Sequence, residues 1–277
     1  MHYVVMNTAE RPMKGWTYNV MSGAFAFIAG AGRGAFRTIY ADGNAVADLV
    51  PSDYFTAFLL ATAWRTSLRS DLQVYHYTSG TVSPILWSDY TSTVMKHLEN
   101  YPTDNVIIPP KAKCRKSYLH NWFIVVLFHY LPALILDFFG LALDVPFRVW
   151  EIQKKYTRGM CYASYFTLNQ WWFTMDNQML VWEEMDDEDK KEFWFNLENF
   201  NWDRYIKTCV LGVRRYFHKQ DDSNLKQARS LYSKRKLLYY CAWIFTYFCI
   251  VCFLQFFTSA SISLFSGFVL ILFLYWV

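Results

Sequence analysis

Few residues in this sequence combine the type and the spacing that chemistry requires, and Tyr232 with Lys236 is the first pair to test. On a helix, residues four apart lie on the same side, so a lysine can lower the pKa of such a tyrosine and let it donate a proton beside a nicotinamide. Here the pair falls in the basic run 233–236, directly before a long apolar segment. We interpret the spacing as a coincidence of composition and assign the pair no catalytic role.

The glycines, histidines and cysteines form no recognisable site either. Gly30, Gly32 and Gly34 have the wrong spacing for a dinucleotide-binding loop, and we expect them to form a loop between elements. The six histidines are scattered, and Cys249 and Cys252, although spaced C-x-x-C, lie in an apolar run where packing is expected. The sequence has no nucleophile elbow, zinc-protease helix or Walker loop. We therefore assign no catalytic, cofactor-binding or metal-ligating residue.

The C-terminal segment 237–277 contains no Asp, Glu, Lys, Arg or His. A bilayer is crossed by about 20 apolar residues, so this run is long enough for a membrane anchor. The cations 234–236 directly before it are typical of the cytosolic end of a span. We predict two helices, 237–257 and 258–277, with small polar residues at the turn; a single tilted span followed by a lumenal tail is the alternative.

A second apolar segment, 122–143, is also long enough to span a bilayer, but it contains His129, Pro132 and Asp137. Basic residues flank it on both sides, and the positive-inside tendency would keep both flanks in the cytosol. We therefore expect either a buried helix pair bent near Pro132 or a shallow, membrane-dipping hairpin, and no single crossing.

Residues 1–110 have the alternating character of an α/β fold. A helix is predicted over 52–69, because Ser52 can cap it and Asp53 favours the positive end of its dipole. The basic, polar run 111–120 suits a linker. Strand-like runs occur at 3–6, 36–40 and 73–78.

Residues 145–236 are helical in character. The acidic run 186–189, followed by two lysines, is typical of a helix start. An amphipathic helix is predicted over 204–219; its cations favour a solvated face, and attraction to anionic lipid or to CoA phosphates is the alternative. A further set at helical spacing predicts one helix face, packed in the core or against lipid: Tyr165, Leu168, Trp172, Met175, Met179 and Trp182.

Composition excludes several classes of function. The net charge is only +4 and no nucleic-acid-binding signature is present, so we expect no nucleic-acid partner. The hydrophobic fraction of 54% exceeds that of ordinary globular proteins, chiefly because of the apolar tail. Intramembrane charge is too sparse for a transporter. The N-terminus lacks a signal-peptide pattern, which favours reduced thiols and a body that faces the cytosol.

Several separated motifs share one resemblance, to the alcohol-forming fatty acyl-CoA reductases. In segment 10–64 the matching residues are Glu10, Pro12, Gly15, Trp16, Asn19, Gly30, Gly32, Gly34, Asp48, Pro51 and Asp53. Further segments match in the family's order: 74–90, 129–138, 171–173, 193–205, 212–221 and 225–229. The sequence departs from the family's usual pattern at Arg33 (Lys), Ser52 (Val) and Asn196 (often Asp). The resemblance covers about 10–230.

This resemblance implies a fold class: an α/β remnant of a Rossmann-like extended short-chain dehydrogenase domain, followed by an α-helical domain and C-terminal transmembrane helices. We expect the C-terminal portion of the nucleotide-binding domain at 1–110 and the family's helical C-terminal domain at 111–236. The anchor at 237–277 completes this expected organisation.

The resemblance also implies a reaction, the NADPH-dependent reduction of a long-chain fatty acyl-CoA to a primary alcohol through an aldehyde. The implied partners are long-chain acyl-CoA and the bilayer of the endoplasmic reticulum or peroxisome, and association of copies into a homo-oligomer is left open. The family's glycine-rich nucleotide loop and its Tyr–Lys pair have no matching positions here. We therefore expect a chain truncated just after that pair and inactive alone. A non-catalytic membrane-anchored paralogue that binds lipid or a partner is the alternative.

Overall fold

Helices make up most of the computed structural model, which describes residues 4–17, 23–142 and 148–257. Two short parallel strand pairs accompany them, with Val4 opposite Leu49 in one pair and Thr38 opposite Lys113 in the other. The α/β expectation is thus confirmed only in part, because the helical share is larger than predicted.

The first half of the chain alternates short strands with helices that cross between them. Strand β1 is followed by helix α1, and β3 leads without a gap into α2. The elements are β1 Val4–Met6, α1 Gly23–Gly32, β2 Thr38–Tyr40, β3 Leu49–Pro51, α2 Ser52–Ser67, α3 Trp87–Asn100 and β4 Lys113–Arg115.

The described part of the second half is mainly helical. A π-helical segment joins α4 to α5, and a second one extends α9. The elements are α4 Tyr118–Val125, π1 Val126–Tyr130, α5 Leu131–Ala142, α6 Val149–Leu168, α7 Asp176–Glu184, α8 Asp187–Glu192, α9 Trp202–Gly212, π2 Val213–Phe217, a 3-10 turn Asp222–Asn224 and α10 Leu225–Phe257.

Two apolar cores hold these elements together. The larger core packs α1 and α3 against α9, with Ile28, Val94 and Ile206 among its fully buried side chains. The smaller core lies between α2 and α7 and contains Phe58 and Phe195. Because the larger core draws on both 1–110 and 111–236, helix α9 is an integral part of the strand-bearing region; the proposed domain boundary stays a prediction.

Helices α2 and α8 begin where the sequence predicted, and α9 buries its predicted apolar side. Asp186 caps α8, its carboxylate accepting hydrogen bonds from the backbone N–H groups of Glu188 and Asp189. Helix α9 with π2 buries the expected side, including Val210. One cation assigned to the solvated face, Arg214, is instead fully buried and donates to carbonyl oxygens of neighbouring loops.

Three local predictions were wrong. Gly30 and Gly32 lie in helix α1, and only Gly34 lies in the loop that follows it. Ser52 does not cap α2, since Pro51 occupies the N-cap position and no side chain bonds there. The run 73–78 forms no strand: its backbone is held by side chains, as where Asn177 donates from Nδ2 to the Val74 carbonyl at 2.6 Å.

Two longer-range predictions also need correction. The expected linker 111–120 contains strand β4 and the start of α4. The stripe from Tyr165 to Trp182 is not one helix face, because α6 ends at Leu168 and α7 begins at Asp176. Residues 169–175 between them are irregular, and Trp172 is exposed.

The apolar segments have different outcomes. Within the described residues, one helical stretch, Tyr118–Phe138, is long and apolar enough to cross a membrane, and 28% of its most apolar window is buried. It is a continuous helix through α4, π1 and α5, so the expected helix pair does not form within the described residues 122–142. Helix α10 covers the first predicted anchor helix, and 258–277 lies outside the described residues.

Candidate functional site

A cavity of about 810 Å³ lies between helices α1 and α6, beside strands β1 and β2. One helix face forms much of its wall, because residues of α6 three and four positions apart point to the same side. Small residues on that face, Gly159 and Ala163, leave room between the helix and the facing elements. No atom lies within 4 Å of the place where a Cβ on Gly159 would stand.

Aromatic rings line much of the cavity. The ring of Phe36 stacks on Phe27 at a centroid distance of 5.9 Å and meets the edge of Tyr156 at 4.7 Å. Phe27 in turn lies 6.1 Å from the ring of Tyr90. Such a wall offers apolar surface with few polar groups, which suits a hydrocarbon chain.

Two cations line the same cavity and are exposed to solvent, Arg33 and Lys155. Neither forms an ion pair with a carboxylate in the described part of the chain. The guanidinium of Arg33 is held over the ring of Phe217 at 5.3 Å, which fixes its position at the rim. An anionic group on a ligand would therefore find positive charge where the apolar interior meets water.

Two of the hydroxyl groups that line the cavity donate hydrogen bonds to backbone carbonyl groups. Tyr90 donates to the carbonyl oxygen of Ala24 at 3.0 Å, and Thr167 donates to that of Tyr40 at 2.6 Å. Burial raises the pKa of Tyr156, so its phenol stays neutral at physiological pH. The arrangement can bind and orient an amphipathic anion.

The Tyr232–Lys236 pair has an unsuitable environment for proton donation to a nicotinamide. Lys236 pairs with Glu99, and its ammonium lies 5.8 Å from the centre of the Tyr232 ring. Burial raises the pKa of Tyr232, with Glu99 adding to the effect, whereas a catalytic tyrosine needs a lowered pKa. The pair is on α10 and does not line the cavity.

Two described thiols are also poorly placed for nucleophilic chemistry. Burial raises the pKa of Cys114, and it raises that of Cys209 to about 12. Both are protonated at physiological pH, and a thiol is a much weaker nucleophile than a thiolate. We assign them packing roles.

The glycine run is occupied by packing contacts. A Cβ on Gly30 would come within 2.8 Å of a ring carbon of Phe36, and one on Gly32 within 3.2 Å of the Leu98 side chain. Both glycines lie near the C-terminal end of α1, where carbonyl groups point outward. A dinucleotide pyrophosphate needs the opposite arrangement, a glycine turn at a helix N-terminus. These residues do not fit NADPH.

The cavity was not predicted from the sequence, although one signal was present. The lining positions of α6 recur mostly at helical spacing: Ile152, Lys155, Tyr156, Gly159, Met160, Tyr162, Ala163, Phe166 and Thr167. The pattern has a 3.6-residue period and includes small residues that open space on one face. Its partners on α1 could not be paired with it from sequence.

Comparisons with known proteins add the family. The model of the family described as "Male sterility protein" matches residues 128–220. The chain is 32% identical to fatty acyl-CoA reductase 1 of Rattus norvegicus over 238 residues and 30% identical to fatty acyl-CoA reductase 2 of Bos taurus over 236. These matches cover 83% and 84% of this chain.

The chain spans about 45% of the length of these relatives. The aligned stretches are longer than the segment that the family model covers. Twelve curated proteins match at a significant level. By these matches the chain belongs to the fatty acyl-CoA reductase family.

Proposed function

We propose that this protein takes part in the NADPH-dependent reduction of long-chain fatty acyl-CoA to primary alcohol, and that the cavity between α1 and α6 holds the acyl chain. The observation that carries the proposal is the pairing of an aromatic interior with two rim cations, Arg33 and Lys155. An acyl-CoA has the matching form, an apolar chain joined to a polyanionic head. Family membership supplies the reaction class.

Nucleotide binding and acyl-chain binding fall to different parts of the protein. When bound, NADPH supplies the hydride, and the glycine run of this chain offers no cradle for it. We infer that residues outside these 277 bind the nucleotide and donate the proton. The present residues exclude water from the acyl chain and set its depth, through Gly159 on one wall and Phe36 on the other. We also infer a membrane-anchored protein with a cytosolic body, in the endoplasmic reticulum or peroxisome.

The test measures palmitoyl-CoA binding to the full chain in detergent, below the micelle-forming concentration of the ligand. Gly159→Phe places a ring in the cavity, and we expect it to weaken binding by about tenfold or more. Cys161→Phe is the matched control, because Cys161 is exposed on α6 and does not line the cavity. Its affinity should stay within about twofold of the parent chain.

The charge component has its own pair of variants. Lys155→Ala should weaken binding of palmitoyl-CoA several-fold. Raised salt should narrow the difference in affinity between this variant and the parent chain, because it screens the charge. Lys154→Ala is the control, since Lys154 is a neighbouring exposed cation on α6 that pairs with Glu151 and does not line the cavity. Equal losses in the two variants would contradict a specific role for the rim.

NADPH titration tests the division of labour. We expect no change in nucleotide fluorescence with the parent chain at micromolar concentrations. Micromolar binding would show that these residues hold a nucleotide after all. Tight acyl-CoA binding without any reductase activity, even after the nucleotide-binding segment of a relative is supplied, would favour the alternative of a non-catalytic lipid-binding paralogue.

A further inference from the structure

The helix formed by α4, π1 and α5 presents a long apolar face that the rest of the described chain leaves uncovered. Exposed side chains recur along it, from Leu119 (75% exposed) through Phe123 (54%) to Leu134 (55%). A soluble monomer rarely leaves so extended an apolar face in water. The face therefore needs an occupant.

The chain passes from the strands into this helix and returns to the strands through α6. Helix α4 follows strand β4, and α6, which packs beside α5, ends at β2, the strand that pairs with β4. At the far end of α6, Thr167 donates a hydrogen bond to the carbonyl oxygen of Tyr40 on β2. The two ends of this excursion thus lie at adjacent strands, which disfavours a single passage of α4–π1–α5 through a bilayer.

Asp137 joins the C-terminal part of α5 to the start of α6. Its carboxylate oxygens accept hydrogen bonds from the backbone N–H groups of Val149 and Trp150, at 2.8 and 2.9 Å. These groups belong to the first turn of α6, where a carboxylate also meets the positive end of the helix dipole. The ring of Trp150 packs on Tyr130 at 4.8 Å. Helices α5 and α6 therefore form a latched hairpin.

The two legs of the hairpin differ in polarity. The α6 leg carries exposed charges, including Glu151, Lys154 and Arg158, which would be costly in hydrocarbon. The α4–α5 leg has Asp137 as its only carboxylate, and the latch satisfies both of that residue's oxygens. One leg suits lipid and the other suits water, as in an interfacial helix rather than a spanning pair.

Helix α10 extends the same apolar surface. The ring of Trp243 lies 5.9 Å from that of Phe128 on π1, so the two helices are neighbours where each is apolar. Beyond this contact α10 exposes Phe245 (68%) and Phe248 (63%), within the charge-free run that begins at 237. If α10 enters a bilayer at this point, the exposed face of α4–π1–α5 lies at the same depth in that bilayer.

Exposed cations precede the apolar part of each helix. Lys113 and Lys116 precede α4, and Lys234 precedes the apolar part of α10; Lys116 also forms an ion pair with Asp42 at 2.7 Å. Anionic headgroups attract such residues at the cytosolic surface of a membrane. The polarity of the surface thus changes from basic to apolar in the direction in which headgroups give way to acyl chains.

We propose that the exposed face of α4–π1–α5 is a second membrane contact, embedded beside α10 in the cytosolic leaflet without crossing it. The occupant is an anionic lipid bilayer. The proposal rests on the anchoring by 237–277 that the proposed function includes, and it does not depend on the reductase reaction.

The test places a small fluorescent amino acid at single positions of the full chain, reconstituted in phosphatidylcholine vesicles with a minor share of phosphatidylserine. Phe123 and Leu127 report the proposed contact, Phe245 reports the anchor, and Trp194, an exposed aromatic residue on the body, is the control. Lipids carry a spin-label quencher either near the headgroup or near the chain end.

We expect the headgroup-proximal quencher to quench the probes at Phe123 and Leu127 by at least about twofold more than the probe at Trp194. Quenching at Phe245 with none at Phe123 would overturn this proposal while leaving the anchor intact. No quenching at Phe245 would overturn both. Stronger quenching of Leu127 by the chain-end label would indicate a crossing and refute the one-leaflet arrangement. A photo-cross-link from Phe123 to a second copy, with no lipid quenching, would assign the face to a dimer instead.

Discussion

Gly15 and Gly212 form a backbone contact that joins the N-terminal loop to helix α9. Gly15 has a φ of +72°, and the loop that it closes is hydrogen-bonded through the Gly15 N–H to the Thr8 carbonyl at 2.9 Å. A Cβ added to Gly212 would lie 2.6 Å from the carbonyl carbon of Gly15 and 2.8 Å from its Cα. Those atoms belong to the backbone, so no side chain can rotate away to make room. Gly212→Ala must therefore displace the loop or the helix.

The expected cost follows from this geometry. Overpacking that forces backbone shifts costs about 1–3 kcal/mol of unfolding free energy. For a chain of this size, that corresponds to a fall of roughly 3–10 °C in apparent Tm. Gly159→Ala is the matched control, because no atom lies within 4 Å of its new Cβ and glycine in a helix interior costs about 0.5–1 kcal/mol relative to alanine. That variant should melt roughly 1–3 °C higher.

Intrinsic tryptophan fluorescence of the detergent-solubilised chain, heated at one fixed rate, gives the comparison, since irreversible unfolding makes the midpoint depend on the rate. The Tm of Gly15→Ala should fall at least as far as that of Gly212→Ala, because a non-glycine residue at this φ adds strain of about 1–2 kcal/mol. The fall in Tm of the double variant should be smaller than the sum of the two single falls, because the first substitution already opens the contact. A Gly212→Ala midpoint equal to that of the parent, or two fully additive losses, would refute the contact.

Three carboxylates yield further predictions. Burial raises the pKa of Asp48 to about 6, so the folded state disfavours the charged carboxylate and loses stability as pH rises from about 4 to 6. Asp48→Asn removes this charge and should therefore raise the Tm more at pH 7 than at pH 4. The difference corresponds to about 1–2 kcal/mol of unfolding free energy. Asp137→Ala should speed hydrogen exchange at the first turn of α6 and cost about 1 kcal/mol, while Asp137→Asn keeps one acceptor and costs less. Asp53 accepts hydrogen bonds from three backbone N–H groups in 9–11 at 2.8–3.0 Å, so Asp53→Ala should raise exchange there by at least about tenfold, and unchanged exchange would contradict the role.

Local sequence rules predicted a helix correctly where contacts within that helix determine its start or its buried side. Asp186 caps α8 because its side chain reaches the backbone N–H groups two and three positions ahead, an arrangement that needs no distant partner. Helix α9 buries the predicted apolar side because its period matches the α-helix. Asp53 was placed correctly in the first turn of α2, but its bonds to the N-terminal loop depend on tertiary structure and could not be predicted.

Periodicity misled where distant hydrogen bonds override it. The stripe from Tyr165 to Trp182 keeps helical spacing, yet the chain becomes extended at Asn169. The side chain of Gln170 accepts a hydrogen bond from the N–H of Val46, and the Phe173 carbonyl accepts one from Thr81. These bonds tie 169–175 to the first half of the chain, which a sequence pattern does not reveal.

The cavity was hidden for a related reason. Its walls come from α1 and α6, which are far apart in sequence, and each helix alone shows only an apolar or small-residue face. Arg33 replaces the lysine that is usual in the family, but the position keeps its positive charge, and the structure locates that charge at the cavity rim. The location of this charge at the cavity rim can therefore be recognised only after the fold brings the two helices together.

Asp137 shows how the same residue can be judged differently from sequence and from structure. In an apolar run, an unpaired carboxylate at bilayer depth costs roughly 2.5–3.5 kcal/mol, which disfavours a crossing. In the structure both of its oxygens are occupied by backbone donors of α6, which holds the end of α5 beside the start of that helix. The expectation that this segment does not cross once stays a prediction, but its physical basis changes. The carboxylate is the latch of a hairpin, and a helix latched to a charged partner can lie in one leaflet more readily than it can pass through two.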